Sequence, residues 1–131
     1  MVQSVTPFLM FQGNAVEALH FYQELFVDLH VLSMEQYGEA DGELNGKIRL
    51  ALIELHGQQV QMIDSPVAHN FDFTPSFSFY LNCDSEEELD MLSAKISAAG
   101  QTLMPADNYG FSRRFAWVND GFGVSWQLNV S

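Results

Sequence analysis

The chain has 131 residues, 17 acidic against five basic, for a formal charge of −12, which excludes nucleic acid and anionic membrane as partners because both are held by clustered Lys and Arg. Hydrophobic residues make up 47% and aromatics 13%, enough for one domain of this length to bury roughly two-thirds of its unfolded surface without a disulfide or a metal. Cys83 is the single cysteine, so neither an intrachain disulfide nor a cysteine-built zinc site is available.

No apolar run approaches 18 residues, and no charged leader precedes one, so the expectation is a cytoplasmic chain that is neither secreted nor membrane-spanning. Val5 to Gln12 reads as a strand ended by Gly13-Asn14. Asn14 with Glu17 forms a capping box before a helical stripe through Val16, Leu19, Tyr22 and Phe26. Leu29 to Tyr37 is a strand of weak alternation. Gly38 to Gly46, with three acids and three glycines, reads as a mobile loop. Lys47 to Leu55 and Gln58 to Ile63 are strands joined by His56-Gly57. A connector rich in proline and phenylalanine follows, with Phe71 and Phe73 in it.

The pattern then starts again. Ser76 to Asn82 is a strand, and Ser85 with Glu88 is a second capping box. Leu89, Leu92, Ile96 and Ala99 give an apolar helix stripe, closed by Gly100 at the C-cap position. Thr102 to Ala106 is a strand, and the last two strands flank Asn119-Asp120-Gly121, a hairpin signal. In the final strand Val124, Trp126, Leu128 and Val130 take one face, while Gly123, Ser125, Gln127 and Asn129 take the other. The first face suits a core; the second is neutral and hydrogen-bonding, which suits a cavity wall.

Strand, helix and three strands therefore occur twice. An offset of 71 pairs Phe8 with Phe79, Met10 with Leu81, Asn14 with Ser85 and Glu17 with Glu88, and an offset of 66 pairs Gln61 with Gln127. The expected fold is α+β: two βαβββ modules, about 1–65 and 75–131, joined by a connector over about 66–74. Each helix would cover the outer face of its sheet, leaving the inner faces to curl around a cleft. By alternation Gln59, Gln61, Ser76, Ser78, Ser125 and Gln127 share the cavity face, with Leu9, Phe11 and Tyr80 as apolar wall. A mostly apolar pocket with a few convergent polar groups is the usual form of a small-molecule site; the alternative is that these groups only satisfy one another.

The remaining candidates are isolated. His20 sits on a helix among apolar neighbours, and His69 shares the connector with Asp72, near Asp64. Cys83 precedes a helix N-terminus, where a thiolate is favoured, yet it equally suits a small core residue. Arg113 and Arg114 are adjacent, so one of them faces the cleft and can hold an anionic group, or else both pair with surface carboxylates.

Thr6-Pro7-Phe8-Leu9-Met10-Phe11, Ala18-Leu19-His20-Phe21-Tyr22, Met62-Ile63-Asp64-Ser65, Phe73-Thr74-Pro75-Ser76-Phe77-Ser78-Phe79 and Asp120-Gly121-Phe122-Gly123-Val124-Ser125-Trp126-Gln127 together resemble the PhnB-like group. That group, often called 3-demethylubiquinone-9 3-methyltransferase-like, belongs to the vicinal oxygen chelate superfamily of glyoxalases, bleomycin-resistance proteins and dioxygenases. The resemblance spans essentially the whole chain as a single domain, 1–131. It implies the glyoxalase/bleomycin resistance/dioxygenase fold and a homodimer; Phe71 and Phe73, aromatics in an otherwise polar connector, are candidate interface residues. It also implies four metal-ligand positions, which fall here on Pro7, Gln61, Ser76 and Gln127. A proline cannot ligate, and a hydroxyl and two amides replace imidazole and carboxylate poorly. The expectation is thus no metal and no cofactor, with a small organic ligand bound by Gln59, Gln61, Ser76, Ser78, Arg113, Arg114, Ser125 and Gln127. The alternative is a related lyase, isomerase or oxidoreductase with an atypical metal site. No strand leads into a glycine-rich turn that opens a helix, which argues against the methyltransferase cofactor.

Overall fold

A computed structural model describes residues 1–131 and divides them into two compact units, Met1–Asn70 and Phe71–Ser131. The first unit holds β1 (Phe8–Phe11), α1 (Ala15–Leu25), β2 (Leu29–Gln36), β3 (Ile48–Leu55) and β4 (Gln58–Asp64). The second repeats the order with β5 (Ser78–Asn82), α2 (Glu86–Ser97), β6 (Gln101–Asp107), β7 (Arg114–Asn119) and β8 (Ser125–Val130). Each unit is one open four-stranded mixed sheet, ordered β1-β4-β3-β2 and β5-β8-β7-β6. The first and last strands of a unit run parallel, and the other pairs are antiparallel. The architecture is the α+β, twofold βαβββ plan that the sequence pattern implies.

In the first unit, α1 buries Ala15, Ala18, Leu19 and Tyr22, and the sheet buries Leu9, Phe11, Ile53, Val60 and Met62. The register decides which residues share a face. Leu9 pairs with Met62 and Phe11 with Asp64, whereas Phe8 pairs with Gln61. Leu9 and Phe11 therefore belong to the helix-side core rather than to a cavity wall; the wall positions on β1 are Phe8 and Met10. The β3–β4 turn places His56 at φ 49° and Gly57 at φ 85°, the pair of left-handed residues that a two-residue hairpin with the native strand twist requires.

A buried acid fixes this unit. Asp64, fully buried at the end of β4, accepts the Gly13 and Ala15 N–H groups on Oδ1 at 2.8 and 3.0 Å and the Ile48 N–H on Oδ2 at 2.9 Å. It thereby does the work expected of the Asn14–Glu17 box: Asn14 is the N-cap residue but its side chain makes no capping bond. Lys47 Nζ donates to the Gly13 carbonyl at 2.7 Å, and Tyr37 Oη–H to the Asp64 carbonyl at 3.0 Å.

The weak alternation of β2 has a physical cause. Val31 pairs with Ile53 and Ser33 with Leu52, leaving Leu32 as the extra residue of a bulge, so the face pattern shifts by one at that point. The segment read as a mobile loop carries 3-10 turns over Glu39–Leu44, broken at Gly42, whose φ of 63° and ψ of −121° are not helical. Asp41 Oδ2 accepts the Gly38 N–H at 2.8 Å and pairs with Arg49 at 3.2 Å.

In the second unit, Ser85 Oγ accepts the Glu88 N–H at 3.1 Å, and Glu88 Oε1 returns to the Asp84 N–H at 3.1 Å, one residue earlier than a standard box. α2 buries Leu89, Leu92, Ser93 and Ile96. Gly100 does not cap it, since the C-cap is Ala98. Gly100 is needed because a Cβ there would run into the Asn119 carbonyl and the Asp120 backbone. Asp120, also buried, organises the last turn: Oδ1 accepts the Phe122 and Val124 N–H groups at 2.9 and 3.0 Å, and Oδ2 accepts Trp126 Nε1–H at 3.0 Å. Pro105 lies within β6, an edge strand, the position where a missing N–H is tolerated.

The two units also correct the repeat alignment. Phe8 faces Gln61 and Tyr80 faces Gln127, so Phe8 corresponds to Tyr80 rather than Phe79, an offset of 72. Adding 74 to the buried residues of α1, 15, 18, 19 and 22, gives the buried residues of α2, 89, 92, 93 and 96. An offset of 71 fits the helix starts but places core strand residues opposite exposed ones.

Replacing Asp64 by Ala strands three buried or part-buried N–H groups from two segments. Chemical denaturation should show a loss on the order of 3 kcal/mol or more, the cost of unsatisfied buried donors once a charged acceptor is removed.

Candidate functional site

The face of the second sheet turned away from α2 carries a neutral hydrogen-bonded cluster. Ser78 pairs with Ser125, Tyr80 and Trp117 with Gln127, and Phe115 with Asn129, so all seven side chains leave the same face. Ser78 Oγ and Ser125 Oγ lie 2.7 Å apart. Trp117 Nε1–H donates to Ser125 Oγ at 2.8 Å, and Gln127 Nε2 donates to Ser78 Oγ at 3.3 Å. The Gln127 amide is thus held by its nitrogen, and Oε1 makes no hydrogen bond within the chain. Farther along, Asn129 Nδ2 donates to Asn82 Oδ1 at 3.1 Å, while Asn129 Oδ1 and Asn119 Oδ1 are buried without a partner.

Aromatic rings adjoin these amides. Tyr80 and Phe115 sit with centroids 6.3 Å apart, and Phe111 stands edge-on to Phe115 at 5.0 Å. Phe115 is buried, whereas Tyr80 and Phe111 are exposed. No ionised side chain belongs to the cluster. It can accept and donate hydrogen bonds beside an apolar surface, the combination that holds and orients an organic ligand.

Of the residues predicted from sequence, Ser78, Ser125 and Gln127 come together here. Gln59 and Gln61 lie on the first unit's sheet, on the face with Leu52, Glu54 and Phe8; Gln59 is exposed and Gln61 half-buried. Ser76 precedes β5, in a turn, with its hydroxyl 2.7 Å from Thr74 Oγ1. It does not share the face, because the strand begins two residues later than the alternation suggested.

Both arginines turn toward α2. Arg114 pairs with Val130 in register and bonds Asp90 at 2.7 Å, and Arg113 lies 3.6 Å from Glu86. The Asp90 carboxylate raises the Arg114 pKa further above its ordinary value, by hydrogen bond first and charge second. Neither arginine stands with Gln127 to receive an anionic group. Sequence reasoning missed Trp117 and Phe115. The signal was present, since Phe115, Trp117 and Asn119 alternate with Arg114, Ala116 and Val118 over the strand before the hairpin.

The implied metal positions do not fit an ion. Pro7 offers only its carbonyl, which accepts the Gln61 N–H at 2.9 Å; Ser76 Oγ is bonded to Thr74 in a turn; and Gln61 and Gln127 offer only neutral amide oxygens in place of imidazole or carboxylate. No three His, Cys, Asp or Glu side chains converge anywhere in the chain. His20 is exposed, and His69 is tied through Nε2 to Ser65 Oγ at 3.0 Å and through its N–H to Gln12 Oε1 at 2.8 Å. A separate groove of about 160 Å³ lies on the helix side, lined by Ser93, Ser97, Thr102, Ala106 and Ala116. It is formed by small residues between α2 and β6–β7 and does not touch the cluster. No helix is long and apolar enough to cross a membrane.

Comparison with known proteins gives a consistent result. The family model described as 3-demethylubiquinone-9 3-methyltransferase matches residues 3–129. A solved structure described as a putative 3-demethylubiquinone-9 3-methyltransferase, PhnB protein, from Bacillus cereus is 45% identical, with a TM-score of 0.91 over 98% of this chain and 100% of that one. Protein YjdN of Escherichia coli is 24% identical over 96% of this chain and 94% of its own length. A glyoxylase/bleomycin resistance protein/dioxygenase domain from Frankia sp. EAN1pec, 12% identical, shares the fold with a TM-score of 0.68 over 100% of this chain and 93% of that one.

Cys83 is not a poised nucleophile. Burial first, then the Glu88 charge, pushes its thiol up to about 11, so at pH 8 the thiolate fraction is on the order of one in a thousand. Alkylation of the folded protein at pH 8 should run about a hundredfold slower than in denaturant, and its rate should climb about tenfold per pH unit toward 11.

Proposed function

Because the chain belongs to the family described as 3-demethylubiquinone-9 3-methyltransferase, the PhnB-like group of the vicinal oxygen chelate fold, we propose that it binds a small organic molecule on the neutral face of the second sheet without using a metal. The two units form one domain over 1–131, and the protein works as a cytoplasmic homodimer. One observation carries the binding reading: the Trp117–Ser125–Ser78–Gln127 network, pre-bonded through its donors and leaving Gln127 Oε1 open beside the ring of Tyr80. Such a group is already oriented before the ligand arrives, so binding loses little side-chain freedom.

Methyl transfer from a nucleoside-type cofactor is not supported by the two strand-to-helix turns. At the first, Asp64 takes the Gly13 and Ala15 N–H groups; at the second, Ser85 takes the Glu88 N–H. Both helix starts are occupied by the protein's own acceptors. The second turn, Cys83-Asp84-Ser85, has no glycine to let a ribose approach the backbone.

The test is a thermal-shift screen of small metabolites and drugs, followed by titration of whatever stabilises the fold in proportion to its concentration. Gln127→Leu should weaken such a ligand about tenfold to a hundredfold, the worth of a buried hydrogen bond with its partner left unsatisfied. Arg114→Ala, on the helix side, should leave the affinity within about twofold and only remove a part-exposed ion pair worth little to stability. Equal loss in both variants, or none in Gln127→Leu, moves the site elsewhere.

A further inference from the structure

The β2 edge of the first sheet is exposed along nearly its whole length. Seven of its eight residues are exposed, among them Val31 at 37%, Leu32 at 47% and Met34 at 41%. The free edge of a strand of this length, with three exposed apolar side chains, is normally blunted by proline, charge or a bulge; β2 has no proline or lysine, and its guards are Glu35 and the central bulge at Leu32. The edge strand β6, by contrast, has Pro105 in its middle.

β2 is also symmetric in a way the single chain does not use. Register with β3 puts Leu29, Val31, Met34 and Gln36 on the α1 side of the sheet, opposite Leu55, Ile53, Ala51 and Ile48. His30, Ser33 and Glu35 lie on the other side, opposite Glu54, Leu52 and Leu50, and the bulge residue Leu32 accompanies Ser33. Read from either end, the sequence of faces is the same. Two such strands can lie antiparallel about a twofold axis perpendicular to the sheet with every pair on a common face. Opposite residues are then 29 and 36, 30 and 35, 31 and 34, and 32 and 33. In a regular strand this register is impossible, because residues 32 and 33 would point to opposite faces. The bulge at Leu32 removes that conflict. The chemistry matches as well: His30 meets Glu35, and Val31 meets Met34, in two copies each.

We propose that β2 pairs with β2 of a second copy of this chain, His30 against Glu35, making one continuous eight-stranded sheet across the twofold axis. The proposal rests on the homodimer reading above and assigns its surface. In a protein of charge −12, two copies repel at most approaches. The β2 edge carries one acid, Glu35, set against a hydrogen-bonding imidazole, His30, and is otherwise neutral, which suits an isologous contact.

Sedimentation of the full chain at micromolar concentration tests it. Wild type should run at twice 14.8 kDa. His30→Glu sets like charges against each other at two positions and should raise the dimer dissociation constant about tenfold or more. His30→Glu with Glu35→Lys sets opposite charges at the two positions and should return it to within about threefold of wild type. Position 33 lies next to the axis, so Ser33→Cys in a Cys83→Ser background should form a covalent dimer on mild oxidation, a readout independent of any loss of stability. A dimer unmoved by His30→Glu, a double variant that fails to recover, or an uncrosslinked Ser33→Cys chain overturns the edge assignment while leaving the homodimer reading intact. A wild-type mass of 14.8 kDa sinks both.

Discussion

A carboxylate with no access to water must be fully hydrogen-bonded, or its burial costs several kcal/mol. Asp64 meets that demand with three backbone N–H groups from two separate stretches: Gly13 and Ala15 in the turn into α1, and Ile48 at the start of β3. The end of β4, the entry of the helix and the beginning of the hairpin are thereby held at one point. Helix α1 can then lie only on one side of its sheet. Asp120 solves the same problem locally, closing the last turn through two N–H groups and reaching the core through the Trp126 indole. Both units thus use a buried acid to pin the geometry around their last strands.

Once the helix side is fixed, the period of two along each strand divides the chemistry. On β7 and β8, Ala116, Val118, Trp126 and Leu128 go to the core, and Phe115, Trp117, Ser125 and Gln127 go to the face without a helix. The division explains why the arginines serve α2. Arg114 shares parity with Ala116 and Val118, and the acids of the first turns of α2 stand within reach of it and of Arg113. What remains on the other face is neutral, with donors largely spent internally.

Much of this was legible in the residues. The Ser85–Glu88 cap, the paired hairpins, the duplication and the parity of the last strand follow from local rules, because each depends on neighbours a few positions away. The features that were not legible depend on contacts distant in sequence. Asn14 reads as a side-chain cap until Asp64, fifty residues later, arrives to take its place. Gly100 reads as a helix terminator, yet its lack of a Cβ serves the Asn119 carbonyl. Leu9 and Phe11 alternate as correctly with one face as with the other, and only the parallel register with β4 decides between them. Ser76 was misplaced for a simpler reason: the strand starts after Phe77, a boundary that alternation cannot fix.

That parallel register has a consequence for how the chain folds. β1 meets β4 through Phe8 and Gln61, and β5 meets β8 through Ser78 and Ser125. The chain must close a loop of about fifty residues before either pair gains a contact. The hairpins β3–β4 and β7–β8 have short connections and no such delay. Loop closure therefore favours growth of each unit from its hairpin, with its first strand docking last. Amide exchange pulsed during refolding should find β4 and β8 protected along their hairpin side while Phe8–Phe11 and Ser78–Asn82 still exchange freely.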